Sequence, residues 1–376
     1  MILNGIDNLP ALQALLGGAR VALLTNAGAR DAQGRRTADA LLENGFNVTQ
    51  LFAPEHGLGG LAAAGEAVGD ETDAATGLPV ASLYGEHREI PSALADRFDV
   101  LAVDLPDVGV RYYTYPDTLF RVMESCARLK RSVVVLDRPS PLGRVCQGPL
   151  LDMRFASDVG AASVPVRHGF SLGEYAAFAQ SRCGRATGCD LRRVPFEDGG
   201  AEGFPAFGLP WVNPSPNLRS FEALCAYPGT CLFEGTNLSE GRGTEAPFLT
   251  VGAPFVNPAP LLSAVANLSG GVAEACEFTP TGSKFAGERC RGVRLVVIDW
   301  QSFNGFEWGL RLLDAARRSA PDEFVFRPEH FDHLLGDDRY RLGQVSADEL
   351  LAEAEIQCAA FAEELRSVRT QHGECM

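Results

Sequence analysis

"FDVLAVDLPDVGVRYYTYPDTLFRVMESCARLKRSVVVLD", residues 98–137, decides the fold. It begins and ends on aliphatic and β-branched runs without polar alternation, FDVLAVDL (98–105) and SVVVLD (132–137), the pattern of parallel strands covered on both faces. Between them PDTLFRVMESCARLK has helical spacing, opens on a proline where a helix tolerates one and carries bases in its last turn. Strand, helix and strand in succession predict a βαβ unit. Upstream, VALLTN (21–26) and VTQLFA (48–53) flank the helical RTADALLENG and extend the series into a Rossmann-like, doubly wound, mostly parallel α/β sheet.

Downstream, SVPVRHG is followed by a capped helix, SLGEYAAFAQSR, and a strand within CDLRRVPFE. No regular element tolerates the proline density of GLPWVNPSPNLRS (208–220), so the boundary is placed there: a first domain over residues 1–215 and a smaller α+β domain over 216–376. The second part opens on YPGTCLFEGTNLSEGRGT, which starts as an apolar, strand-like run and turns into small polar residues. Helices are expected near APLLSAVANL, at NGFEWGLRLLDAARRS and from Ser346 to about Gln371, with a strand at GVRLVVID (292–299).

Composition narrows the function. The chain of 376 residues carries a net charge of −15, which argues against nucleic acid or an anionic membrane as a broad partner. No stretch approaches the roughly 18–20 apolar residues of a membrane span. The N-terminus MILNGIDNLPALQALLGGAR lacks the basic and long apolar regions of a signal peptide, so a cytoplasmic protein is expected unless the N-terminus has been trimmed. Ten scattered cysteines include no C-x-x-C pair, which argues against a cysteine zinc site or a disulfide framework.

In open α/β sheets ligands bind beyond the carboxyl ends of strands. Polar residues gather there four times: Glu55 and His56 after VTQLFA; Asp104, Asp107, Arg111 and Tyr113 at or after FDVLAVDL; Asp137 and Arg138 after SVVVL; Arg167 and His168 after VPV. Glu174, three residues after Ser171, reads as half of a capping box. GLGGLA (57–62) matches a dinucleotide-binding glycine pattern, but Pro54, Glu55 and His56 separate it from the strand and a carboxylate there would repel a pyrophosphate. In the second domain, glycines 235, 241 and 243 permit close backbone approach, and Thr236, Asn237 and Ser239 offer short hydrogen-bonding side chains suited to a sugar. Glu234, Glu240 and Arg242 stand among them. Two carboxylates across a cleft would suffice for glycoside hydrolysis.

The blocks LLTNAG, FAPEHGLGG, TGLPVASLYGE, DLPDVGVRYYTY, LDRPSPLG, PVRHGFSLGE, GLPWVNPSPN, FEGTNLSEGRGT and FTPTGSKFAG, in this order, resemble the bacterial exo-β-N-acetylmuramidase family, long catalogued as a domain of unknown function. The resemblance runs from about Gly5 to the C-terminal helix. It implies an active site in a cleft between a Rossmann-like and a smaller domain, release of N-acetylmuramic acid from non-reducing ends of peptidoglycan fragments, and no metal or organic cofactor. It also departs from the pattern: DLPDVG has leucine and proline where isoleucine and glutamine are usual, which removes one possible sugar contact at Pro106.

The expected roles are therefore Glu55 as general acid, Glu240 as the opposing carboxylate and His56 for positioning or proton relay. Arg111, Arg167 and Arg242 are candidates to grip a lactyl carboxylate. Asp107, Asn237, His168 and Glu234 complete the substrate-binding set, and Tyr113, Tyr115 and Trp211 offer an apolar face. Glu240 is preferred to Glu234 because Gly241 and Gly243 free its loop, while Glu234 follows the apolar run and is expected to be the more buried. A noncatalytic muropeptide-binding protein is the alternative; a nucleotide-binding enzyme ranks behind it. A serine esterase or metal deacetylase would need G-x-S-x-G or a metal cluster, and the sequence has neither.

Overall fold

The carboxyl ends of the central strands carry the residues of interest, so strand order comes first. In a computed structural model, residues 2–60, 62, 66, 69–85, 88–200 and 202–373 are described. The first sheet comprises β1 (Arg20–Thr25), β2 (Asn47–Ala53), β3 (Glu71–Thr72), β4 (Pro79–Ser82), β5 (Val100–Asp104), β6 (Ser132–Leu136) and β7 (Leu191–Val194). Its order is β3-β4-β2-β1-β5-β6-β7, parallel throughout except for the edge strand β3. Apart from β3 this is the Rossmann arrangement, with the order reversing between β1 and β5. The unalternated apolar runs of β1, β5 and β6 are buried on both faces, as their composition predicts.

Helices α1 (Leu9–Leu16), α2 (Thr37–Glu43), α3 (Tyr115–Leu129) and α4 (Leu172–Arg182) cover the sheet. The capping box at α4 is present: the Ser171 hydroxyl accepts from the Glu174 amide at 3.2 Å and Glu174 accepts from the Ser171 amide at 3.0 Å. The glycine pattern at 57–62 starts no helix, since the described residues between β2 and Pro91 form turns, bends and two short strands. The segment around Val164–Val166 is not a strand of the sheet. It makes only isolated bridges, Arg167 pairing with Val110 and Gln147, because β7 already occupies the position beside β6.

The run expected to be a strand before the FEGTNLSEGRGT block is helical: α5 (Phe221–Thr230) passes into a 3₁₀ turn over Cys231–Gly235. A wholly apolar run does not reveal its period. What selects the helix is a Ser220 cap and a glycine contact with α7 (Gly305–Ser319), where a Cβ on Gly229 would stand 2.1 Å from the Gly305 carbonyl oxygen. A three-stranded antiparallel sheet, β8-β10-β9, follows, from β8 (Thr250–Ala253), β9 (Gly271–Phe278) and β10 (Cys290–Val297). Helices α6 (Pro258–Val265), α8 (Pro328–Leu335) and α9 (Ala347–Gly373) complete this half. One continuous core, running from Ala22 of β1 to Val368 of α9, binds the two halves.

Candidate active site

Glu55 leaves the carboxyl end of β2 and is almost fully buried. Thr114, at the start of α3, donates its hydroxyl to Glu55 Oε2 at 2.7 Å. The Tyr84 hydroxyl is pushed up to about 12, first by burial and then by the charge of Glu55 and a hydrogen bond to it, so Tyr84 remains a protonated donor. Next to Glu55, His56 takes the left-handed conformation at φ 70°, and its Nδ1 meets the Ala62 carbonyl oxygen at 2.8 Å. His56 thus holds the turn that aims Glu55.

The second half supplies a cluster of opposite character. Glu234 Oε1 is 2.7 Å from Arg242 Nη2, and its Oε2 is 3.8 Å from His330 Nε2. Although burial opposes it, hydrogen bonding to His330 and the Arg242 charge hold the Glu234 carboxyl down at about 2. Glu240 is paired with Lys284 Nζ at 2.9 Å and Arg242 Nε at 3.3 Å. Lys284 also donates to the carbonyls of Phe233 and Leu238, both at 2.7 Å, and so ties together the two ends of the FEGTNL loop. The burial order of the glutamates is the reverse of the expectation: the Glu240 side chain is 2% exposed and that of Glu234 is 23% exposed. Glu240 turns inward to its two cations, whereas Glu234 ends on the 3₁₀ turn and reaches the surface.

Two sets of aromatic rings pack beside the clusters. Tyr115, whose hydroxyl is bonded by Asn26, stacks edge-on to Tyr113 at 4.5 Å; Tyr112 meets Tyr227 at 6.0 Å; Tyr227 meets Phe248 at 4.8 Å; and the Arg242 guanidinium lies 5.2 Å over Phe248. Phe248 at φ 64° and the two neighbours of Lys284, Ser283 at 66° and Phe285 at 57°, share the left-handed conformation seen at His56. Such strain persists where surrounding contacts over-determine the backbone, and it concentrates at functional sites.

Other sequence candidates lie elsewhere. Arg111 is buried, with Nη1 donating to Pro149 and Val164 and Nη2 to Leu334 and Leu335 at 2.8–3.0 Å; it clamps four carbonyls together, and burial pulls its guanidinium below the ordinary range. Arg167 is likewise buried and bonds the Leu142 carbonyl. Asn237 stitches its loop to the Glu323 carbonyl and the Val325 amide. His168 stacks on Tyr175 at 4.8 Å, and burial, with the Arg111 charge, pushes it down to about 3, so its ring is neutral. His168 Nε2 stands 4.0 Å from Asp107 Oδ2, and both His168 Nε2 and Asp107 Oδ1 are buried without a hydrogen-bond partner. Of the three arginines expected at the substrate, only Arg242 belongs to the cluster around the glutamates.

Known proteins share this architecture. The family model described as exo-β-N-acetylmuramidase NamZ, N-terminal, matches residues 21–222, and its C-terminal counterpart matches residues 225–369. The chain belongs to the exo-β-N-acetylmuramidase family. It is 38% identical over 348 residues, 89% of this chain and 82% of the relative, to the peptidoglycan β-N-acetylmuramidase NamZ of Bacillus subtilis strain 168. Two crystal structures of DUF1343-family proteins from Bacteroides fragilis superpose on it, with TM-scores of 0.87 (26% identity, 99% of this chain and 98% of that one) and 0.77 (30% identity, 98% of each).

Within this muramidase framework, sequence reasoning overlooked Asn26, Tyr84, Thr114, Lys284 and His330. Asn26, Tyr84, Thr114 and Lys284 stand inside the motif blocks that carry the resemblance, so each was within reach had polar residues inside those blocks been weighed one by one. His330 had no signal, because it approaches Glu234 from α8 across 96 residues of chain, the separation of their numbers. Among the described residues no helix is long and apolar enough to cross a membrane.

Proposed function

We propose that Glu55 and Glu234 are the working carboxylates of an exo-acting glycoside hydrolase that releases N-acetylmuramic acid from peptidoglycan fragments. The observation that carries the residue roles is the contrast in partners: hydroxyls hold Glu55, while Arg242 and His330 hold Glu234 as an anion. Hydrolysis of a glycosidic bond requires one carboxyl able to give a proton to the leaving oxygen and one carboxylate that stays charged as base or stabiliser. Glu234 meets the second requirement through its guanidinium and imidazole neighbours, which leaves the proton transfer to Glu55.

Glu240 then acts as the buried counterion that fixes Lys284 and Arg242, and His56 acts by setting the Glu55 turn. The test is incubation with a short muropeptide and mass analysis of the products, in parallel with Glu55→Gln, Glu234→Gln and Glu240→Gln. Free N-acetylmuramic acid from the wild type supports the reaction. The assignment fails if Glu55→Gln or Glu234→Gln releases it at the wild-type rate while remaining folded.

A further inference from the structure

Beyond the carboxyl ends of β1, β5 and β6 lies a cavity of about 430 Å³ that is lined by none of the glutamates above. Its size falls in the range of small-molecule sites. Buried side chains connect its lining to the surroundings of Glu55. Asn26 Oδ1 accepts from the Gly28 amide at 2.9 Å while its Nδ2 reaches the Tyr115 hydroxyl, and the Tyr113 hydroxyl donates to the Pro214 carbonyl at 2.6 Å. Gly28 and Pro214 both line the cavity.

The lining has a definite chemistry. Trp211, Phe207 and Pro106 supply an apolar wall. Two arginines reach it, with different commitments: Arg138 is bound in a two-pronged pair to Asp104, whereas Arg30 donates to the Gly34 carbonyl at 2.7 Å and takes part in no ion pair among the described residues. The neighbouring Asp31 is held by Arg35 at 2.6 Å and leaves Arg30 uncompensated. Asp107 also lines it, with Oδ2 accepting from the Gly109 amide at 2.9 Å and the buried Oδ1 lacking a hydrogen-bond partner. Burial pushes the Asp107 carboxyl up to about 7, so on the acid side of neutrality it is uncharged, offers a proton to hydrogen-bond, and does not repel an anion. An apolar wall, one uncompensated guanidinium and a neutral carboxyl together suit a short arm ending in a carboxylate.

We propose that this cavity is the subsite for the carboxylate-bearing arm of the substrate sugar, with Arg30 as its specificity-determining cation and Trp211 as its apolar wall. The inference rests on the muramidase reading, in which that arm is the lactyl ether of N-acetylmuramic acid. It transfers the role expected of Arg111 and Arg167, whose guanidinium groups face buried carbonyls, to a residue at the mouth of an open cavity.

The experiment is calorimetric titration of the wild type, Arg30→Gln and Arg30→Lys with N-acetylmuramic acid and with N-acetylglucosamine, which lacks the arm. The wild type should bind the acid about tenfold or more tightly than N-acetylglucosamine, the scale of one charge-assisted pair. Arg30→Gln should bring the two sugars within about threefold, and Arg30→Lys should restore part of the preference. With a chromogenic muramic-acid glycoside, Arg30→Gln should raise KM and leave kcat within about twofold, the signature of lost uniform binding. A wild type without preference for the acid, or an Arg30→Gln protein that keeps the wild-type preference, overturns the subsite. Release of N-acetylmuramic acid from a muropeptide by the wild type is scored separately. If that release occurs while Arg30→Gln retains its preference, the subsite alone is wrong; if it does not occur, the muramidase reading itself falls.

Discussion

The turn after β2 and the loop after α5 each present glutamate beside packed aromatic rings, yet they hold it by different means. Hydroxyls of Thr114 and Tyr84 hold Glu55, and a left-handed His56 sets its turn. Arg242, Lys284 and His330 hold Glu234 and Glu240. A hydroxyl hydrogen-bonds a carboxyl without adding a countercharge, while His330 and the Arg242 guanidinium hold the Glu234 carboxyl down at about 2 against the opposing effect of burial. In the proposed assignment one residue type serves two ends of a reaction because its neighbours differ; three of the four changes below test that contrast, and Asp107→Asn tests the adjoining cavity.

The largest effect is expected at Glu55. Glu55→Gln preserves shape but removes the exchangeable proton, so kcat on a muramic-acid glycoside should fall by about 10²–10⁴-fold, with an unchanged circular dichroism spectrum. Lys284→Met should act on the other region through stability. It strips a buried ammonium from Glu240 and from two carbonyls, and should cost about 3 kcal/mol in urea unfolding, as when one partner of a buried pair is removed. A Lys284→Met protein of wild-type stability would show that the loop is held by something other than its ion pairs.

Asp107→Asn adds a pH signature. The folded carboxyl sits near 7, above its usual 3.8, so between those values the folded state holds a proton that the unfolded state has released. Wild-type stability contributed by this group is therefore present below about pH 4 and is lost as pH rises towards 7. The stability of Asp107→Asn relative to wild type should climb by roughly 4 kcal/mol between pH 4 and pH 8, read as a growing difference in Tm. Neighbouring His168 and Asp137, pushed to about 3 and about 6 by burial, titrate in both proteins and largely cancel in that difference. A difference in Tm independent of pH would show that Asp107 is not buried in its charged form. The smallest effect belongs to Thr114→Val, which removes one hydroxyl from Glu55 at nearly constant volume and should lower kcat about fivefold, the scale of about 1 kcal/mol for one hydrogen bond.

Much of the fold was legible because its signals are local. Unalternated runs at 21–26, 48–53, 98–105 and 132–137 became parallel strands, and the Ser171–Glu174 box caps α4 as written. The YPGTCLF run reads as a strand because a mostly apolar segment shows no clear period, whereas the Ser220 cap and the glycine contact with α7 favour the helix. The PEHG and FEGTNLSEGRGT blocks mark the two loops on which the proposed carboxylates stand, since polar and glycine residues after an apolar run are unusual without a task. Which glutamate lies inward was not legible, because the answer depends on Lys284, 44 residues beyond Glu240.

By itself, then, the sequence determined the doubly wound α/β order, the polar strand ends and the family, all of which are properties of neighbours along the chain. Tertiary structure alone decided that Arg111 and Arg167 clamp carbonyls, that Glu234 reaches the surface while Glu240 is buried, and that Arg30 meets Trp211 across a cavity. The physical reason is that the reach of a charged side chain is a few ångströms, and the chain segments that lie within those ångströms are selected by packing, from positions tens to hundreds of residues away.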